Sequence, residues 1–265
     1  MKNVNKYGNC LEEYKDNKNN AEIYYKRAIG KLPEMEVSKA LAKIISKKIK
    51  SNQSILDVGC GCGHYYRSFK REFGNKKFTY TGIDPYSIFL NKAKSAWKKD
   101  ENTQFKIADI HKIPFKKNNF DFVVCNNVLL HLRSIEKPIK ELLRVSNKHV
   151  VLRTVVYDVS YKVQLVYNKK WWKGTKVKPN QEFTYKGEPR AFSYFNIHSF
   201  DYLSSVIKKY APKSKIKYVK DNFYSKSVIQ GSIKKESRPL ATRIIGTEQF
   251  SGCLMQPHYF VIIEK

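Results

Sequence analysis

The segment from Ile55 to Tyr65, ILDVGCGCGHY, sets three glycines at alternate positions directly after a short apolar run. A glycine lets a ligand touch the backbone, because no Cβ stands in the way, and an apolar run feeding such a turn reads as a strand passing into a helix. The turn is not a dinucleotide fingerprint, which would need glycine where His64 stands, and no G-K-S/T follows to make a phosphate loop. An acid, Asp57, precedes Gly59 by two residues. Two further acids follow, Asp84 closing Thr81-Gly82-Ile83-Asp84 and Asp109 closing Lys106-Ile107-Ala108-Asp109, at spacings of 27 and 25 residues. Each spacing is one strand plus one helix. All three carboxylates therefore fall on the carboxyl edge of one sheet, where open α/β sheets bind ligands. Cys60 and Cys62 form C-x-C, but both fall inside the glycine turn and no matching Cys or His ligands accompany them, so metal is not the reading.

The elements that must hold these groups alternate. Residues 10–28 and 34–50 read as helices, the second with an apolar stripe at Val37, Leu41, Ile44, Ile45 and Ile49. Strands are expected at 54–58, 78–83, 104–107, 120–125 and 150–156, with helices at 64–73, 86–99, about 127–132 and 135–146 between them. This alternation implies an α/β fold, a parallel sheet with helices on both faces. After Val156 the rhythm breaks. Residues 157–197 carry Trp171, Trp172 and five tyrosines with little helical period, too long for a bare loop and read as an insertion with its own structure. A helix resumes at 199–210 with Ser199 as its N-cap, and strands follow at 216–219 and 259–263. Residues 224–257 read as a second, irregular insertion. The divisions are thus 1–50, 51–156, 157–197 and 198–265.

Together GCGCG, GIDP, ADIHKIPF and FDFVVCNNVLLHL resemble the class I S-adenosylmethionine-dependent methyltransferases, over about residues 50–156 and more weakly over 198–222 and 258–264. The resemblance implies a Rossmann-like, doubly wound, seven-stranded sheet, an N-terminal helical lid over 1–50 and a cap from 157–197. It implies S-adenosylmethionine as cofactor and assigns roles by position. Gly59 and Gly61 would pass close to the methionine part, and Asp84 would accept both ribose hydroxyls. Asp109 and the Ile110 amide would meet adenine. Asp57 and Asn126 would serve the amino-acid end. His131, one turn beyond the fourth strand, is the candidate general base, with a structural role as the alternative reading. Arg27, Arg153, Arg190 and His198 are candidate acceptor contacts, and Tyr194 a second candidate in catalysis. The reaction implied is methyl transfer to an oxygen of a small or medium acceptor, a sugar hydroxyl or a phosphate-type oxygen. The Lys-rich chain also resembles methyltransferases that decorate surface polysaccharides.

The charge is the loudest global feature: 51 basic and 23 acidic residues, a formal net of +28. It suits an anionic substrate or nucleic acid. Yet 42 of the basic residues are Lys and 9 are Arg, and they are spread evenly, net +15 over 1–150 and +13 over 151–265. A dedicated nucleic-acid footprint should be lopsided and Arg-rich, and Cys125-Asn126-Asn127-Val128 stands where amino-methylating nucleic-acid enzymes carry Asn-Pro-Pro-Tyr. A nucleic-acid acceptor is therefore the second reading. A non-catalytic cofactor-binding subunit is the third, disfavoured by the intact turn and acids. No run of apolar residues is long enough to span a membrane, no apolar leader opens the chain, and five scattered cysteines form no disulfide scaffold, so a cytoplasmic protein without a metal is expected.

Overall fold

Strands buried on both faces read as unbroken apolar runs, and helices that follow them must cross back over the sheet. The computed structural model follows this rule. It describes residues 18–166, 181–190, 192–222 and 258–265, with strand pairing at 242–245, 248–251 and 254–255. The expected helical turns at 10–17, both tryptophans at 171 and 172, and Cys10 and Cys253 lie outside the described residues.

Helices α1 (Lys18–Ala28) and α2 (Glu36–Ser46) lead into β1 (Gln53–Val58), α3 (His64–Phe73), β2 (Phe78–Asp84), α4 (Ser87–Ala96), β3 (Thr103–Ile107) and β4 (Phe120–Asn126). Then come α5 (Glu136–Val145), β5 (Ser146–Tyr157), β6 (Gln164–Val166), β7 (Phe192–Tyr194), β8 (His198–Ser199), α6 (Phe200–Tyr210) and β9 (Lys215–Lys220). Strands β10 (Thr242–Ile245), β11 (Glu248–Ser251), β12 (Leu254–Met255) and β13 (His258–Glu264) complete the order. The main sheet runs β3-β2-β1-β4-β5-β13-β9, with β8 paired to the end of β5. The first five strands are parallel, and β13 is antiparallel to both neighbours. The order reverses between β1 and β4, so a crevice opens above their carboxyl ends.

Neighbouring residues of one strand feed opposite cores. Ile55, Phe122, Val124, Val151 and Phe260 pack under α2 and α3 with Leu41, Ile45 and Phe69. Leu56, Val123, Cys125, Val150 and Leu152 pack under α5 and α6 with Ile139, Leu142, Leu203 and Ile207. Each fully buried Leu, Ile or Phe contributes about 1.5–3 kcal/mol, which is why the sheet, and not local propensity, fixes the helices. The stripe expected on the second helix is seen in buried Leu41 and Ile45, while the helix ends at Ser46 and buried Ile49 lies in the turn beyond it.

Three expectations are refined. The helix at about 127–132 is a short 3-10 turn, Leu129–His131, because Asn127 before it takes the left-handed φ of 57° and breaks α-geometry. The insertion after β5 contains an antiparallel pair, β6 with β7, in which Gln164 faces Tyr194 and Val166 faces Phe192. The region read as irregular at 224–257 contains an antiparallel trio, β10-β11-β12, with Gly246-Thr247 and Gly252-Cys253 between the strands. A glycine opening a two-residue connection is a hairpin signal, and it lies in the sequence.

Ser199 caps α6 as expected, its Oγ accepting the Tyr202 amide at 3.1 Å. Ser199→Ala should lower stability by about 0.5–2 kcal/mol and Ser199→Asp should retain it, read as the midpoint of urea unfolding. Equal midpoints for wild type and Ser199→Ala would show that the sheet alone holds the helix start.

Candidate functional site

The glycine turn is tied to the second strand by its backbone. The amides of Gly59 and Cys60 both donate to the Ile83 carbonyl, at 2.8 and 3.1 Å. Gly59 has φ 79°, and a Cβ there would stand 2.4 Å from Val128 Cγ2, so the segment after β4 presses directly on the turn. Gly61 has φ 55°, and its amide donates to Asp84 Oδ2 at 3.0 Å. Helix α1 covers this turn: the Tyr24 ring stacks on His64 with centroids 4.6 Å apart, Cys62 Sγ donates to the Ala21 carbonyl, and Lys92 pairs with Glu22 at 2.6 Å.

The three acids take different environments. Asp84 is 7% exposed; Oδ1 accepts the Tyr86 amide and Oδ2 the Gly61 amide, both at 3.0 Å. Burial raises its pKa to about 6 against the pull of those two amides. A carboxylate has about four acceptor positions, so two remain for a ligand's hydroxyl pair. Asp57 is more deeply buried and accepts the Tyr80 hydroxyl at 2.6 Å. Burial lifts it to about 7, the Tyr80 bond pulls it down, and the charge of Asp84 adds to the rise. Asp109 is partly open; its Oδ1 accepts the His111 amide at 2.8 Å and lies 2.8 Å from His111 Nδ1, with the Ile110 side chain buried beside it. Tyr80 and His111 were not singled out from the sequence. Tyr80 looks like one more apolar position of a buried strand, and only the fold brings its hydroxyl to Asp57.

At the end of β4, both polar atoms of the Asn126 amide are buried without a hydrogen-bond partner. An orphaned buried amide costs about 1–3 kcal/mol, a cost that a ligand offering one donor and one acceptor removes. The glycine cradle, the acid with room for two hydroxyls and this amide together fit a nucleoside bearing a zwitterionic tail. Next to Asn126, Asn127 accepts Arg153 Nη1 on its Oδ1, and its amide donates to the Arg153 carbonyl at 2.9 Å. Arg153, 8% exposed, also binds Asp221 Oδ2 through Nε at 2.7 Å and Nη2 at 2.5 Å. The candidate acceptor contact Arg153 is thus engaged inside the protein.

The remaining candidates divide. His131 Nδ1 lies 2.9 Å from the Tyr194 carbonyl. A carbonyl only accepts, so Nδ1 carries a proton, and in the neutral ring the lone pair is on Nε2. Tyr194 is buried, Asn196 Nδ2 donates to the Leu132 carbonyl at 2.7 Å, and the Asn196 Oδ1 and His198 Nδ1 atoms are buried without partners. Burial holds the His198 pKa down at about 4, so the ring is neutral. Residues 194–198 therefore sit beside the 3-10 turn that carries His131. Arg27, in α1, lends its carbonyl to Arg67, and its charge, after burial, helps hold His64 down at about 3. Arg190 is exposed in the 182–190 turn, its Nε donating to the Phe183 carbonyl at 3.2 Å, and is not brought to the others. Among the described residues no cluster of three or more His, Cys, Asp or Glu could hold a metal ion, and no helix is long and apolar enough to cross a membrane.

A doubly wound sheet with a glycine turn and acids on its carboxyl edge defines a nucleoside-binding α/β domain. The family described as "Methyltransferase domain" matches residues 49–222, and the chain belongs to that family of S-adenosylmethionine-dependent methyltransferases. It is 34% identical over 115 residues to a tRNA U34 carboxymethyltransferase of Aliivibrio fischeri, covering 40% of this chain and 33% of that protein. It is 30% identical over 156 residues to a malonyl-[acyl-carrier protein] O-methyltransferase of Buchnera aphidicola, covering 57% of this chain and 60% of that one. The chain thus spans about a third and three fifths of these curated relatives. A solved S-adenosylmethionine-dependent methyltransferase of Methanosarcina mazei shares the fold, with a TM-score of 0.51 and 16% identity over 84% of this chain and 96% of that one. The cofactor of the family is S-adenosylmethionine.

Asp84 must be ionised to accept two hydroxyls, and its raised pKa brings that titration into an accessible range. Affinity for S-adenosylhomocysteine should be flat above about pH 7 and fall by up to about tenfold per pH unit below about 6. In Asp84→Asn the affinity should be weaker throughout and the fall near pH 6 should disappear. Calorimetry between pH 5 and pH 8 reads both; an unchanged slope in Asp84→Asn would assign the titration elsewhere.

Proposed function

We propose that this chain transfers the methyl group of S-adenosylmethionine to an oxygen of a small or medium-sized acceptor. The observation that carries the reading is the pairing, on one sheet edge, of the Gly61–Asp84 cradle with the orphaned Asn126 amide. Asp84 takes the ribose hydroxyls, Asp109 and the Ile110 amide take adenine, and Gly59 and Gly61 let the methionine chain lie against the backbone. Asn126 takes the amino-acid end and Asp57 sits beneath it. Bound S-adenosylmethionine supplies a sulfonium methyl open to in-line displacement. What the chain's residues add is position and exclusion of water: α1, with Tyr24 on His64, is the lid, and residues 157–197 are the acceptor-side cap.

On that side, His131 Nε2 takes the proton of a hydroxyl acceptor, with its tautomer held by the Tyr194 carbonyl. His198 and Asn196 supply polar contacts from the same wall, and Arg27 guides an anionic acceptor toward it. Arg153 belongs to the wall through Asp221. The relative named as an O-methyltransferase supports an oxygen acceptor. The second reading, an RNA acceptor, is favoured by the net charge of +28 and by the relative named for tRNA.

Labelled S-adenosylmethionine offered with sugar, phosphorylated, acyl-carrier and tRNA acceptors should label an oxygen of a non-nucleic acceptor. His131→Ala should lower kcat by about 10²–10⁴ while leaving S-adenosylhomocysteine affinity within about threefold. Transfer confined to tRNA, with an affinity that falls steeply as salt rises, would establish the second reading. Full activity in His131→Ala would mean that the acceptor oxygen is already ionised and needs no base.

A further inference from the structure

A left-handed backbone at a residue other than glycine persists only where its surroundings over-determine it. Asn127, with φ 57°, is held that way by two bonds from one residue: its amide donates to the Arg153 carbonyl and its Oδ1 accepts Arg153 Nη1. Arg153 is in turn fixed by Asp221, whose Oδ2 accepts both Nε and Nη2. Asp221 lies just beyond β9, is 4% exposed, and is anchored by its own amide, which donates to the His258 carbonyl of β13 at 2.8 Å. The chain of contacts therefore starts at the far edge of the sheet, crosses β13 and β5, and ends on the residue next to Asn126. Replacing a buried ion pair by apolar side chains is often neutral or stabilising, so stability alone is a weak account of this one. What the pair does control is the direction in which the chain leaves β4. The same short segment then carries Val128 onto Gly59 and leaves the Asn126 amide buried with both polar atoms unpaired.

We propose that Asp221, acting through Arg153 and Asn127, is a positioning residue that aims the Asn126 amide at the zwitterionic end of the cofactor. The proposal rests on the cofactor placement given under the proposed function. It makes a claim that a general packing role does not: loss of the network should weaken ligands that carry the amino-acid end and spare those that lack it.

The test compares S-adenosylhomocysteine with 5′-methylthioadenosine, which shares the nucleoside and the thioether but has no amino-acid end. Calorimetry on Asp221→Ala should show S-adenosylhomocysteine binding weakened about tenfold or more, with 5′-methylthioadenosine binding within about twofold of wild type. Asn127→Gly removes the Oδ1 acceptor yet keeps the left-handed backbone open, so it tests the same point should Asp221→Ala fail to fold. Asn126→Ala should show the same selective loss, and adding Asp221→Ala to it should cost little more, because groups acting in one chain are not additive. Equal weakening of both ligands in folded Asp221→Ala and Asn127→Gly would reduce the network to a structural tie and overturn the proposal, as would unchanged binding of both. Wild-type protein that binds neither ligand would overturn the cofactor placement itself, a failure distinct from the others.

Discussion

One hydrogen bond joins the parts on which the site depends: the Gly61 amide to the Asp84 carboxylate. It links the turn after β1 to the end of β2, and it holds a carboxylate where water barely reaches it. A buried, charged acceptor is costly unless donors surround it. Here two backbone amides supply part of what water would. The turn aims its amide there through the left-handed backbone of Gly59, Gly61 and Gly63, a conformation that other residues rarely adopt. The crevice exists only because the strand order reverses between β1 and β4. Removing either condition leaves a carboxylate with nothing to bind and a turn with nothing to hold.

Much of this was legible in the sequence because it is local. An apolar run, a glycine turn and an acid two residues upstream lie within a dozen positions, and the acids recur at the length of one strand and one helix. The seven strands of the main path occur near where the sequence places them: the central ones are largely buried and read as apolar runs, while the edge strands β3 and β9 alternate polar and apolar residues and stay partly exposed. Other parts were not legible because they depend on neighbours far along the chain. Asp221 has the look of a solvent-facing acid after a strand; it becomes the partner of Arg153 only because β13 brings β9 alongside. Tyr80 and Asn127 look respectively like core and turn. Arg153 ends a strand on the carboxyl edge and so looks open to an acceptor, and nothing near it in sequence discloses the acid that holds it.

The electrostatics of the crevice run against those of the chain as a whole. The protein carries a large positive charge, yet its cofactor edge presents Asp57, Asp84 and Asp109, two of them nearly inaccessible. An acidic floor within a basic protein favours a ligand with a cationic centre over the crevice and leaves the surrounding charge free to attract anionic acceptors. Burial is what chiefly raises the pKa of both deep acids.

The position of β13 has a consequence for how the molecule is made. This strand inserts between β5 and β9, pairing Leu152 with Val261 more than a hundred positions later, and it anchors Asp221 through His258. Until residues 258–264 have left the ribosome, β5 and β9 have no strand between them, and their edges and the apolar side chains beneath are open. Pairings at such separation carry a large loop-closure entropy and form late. Before that point β1 to β4 with their helices can already pair, beside a β5 edge that is still open. The open strand edges that wait for β13 are what a chaperone that shields such edges would cover.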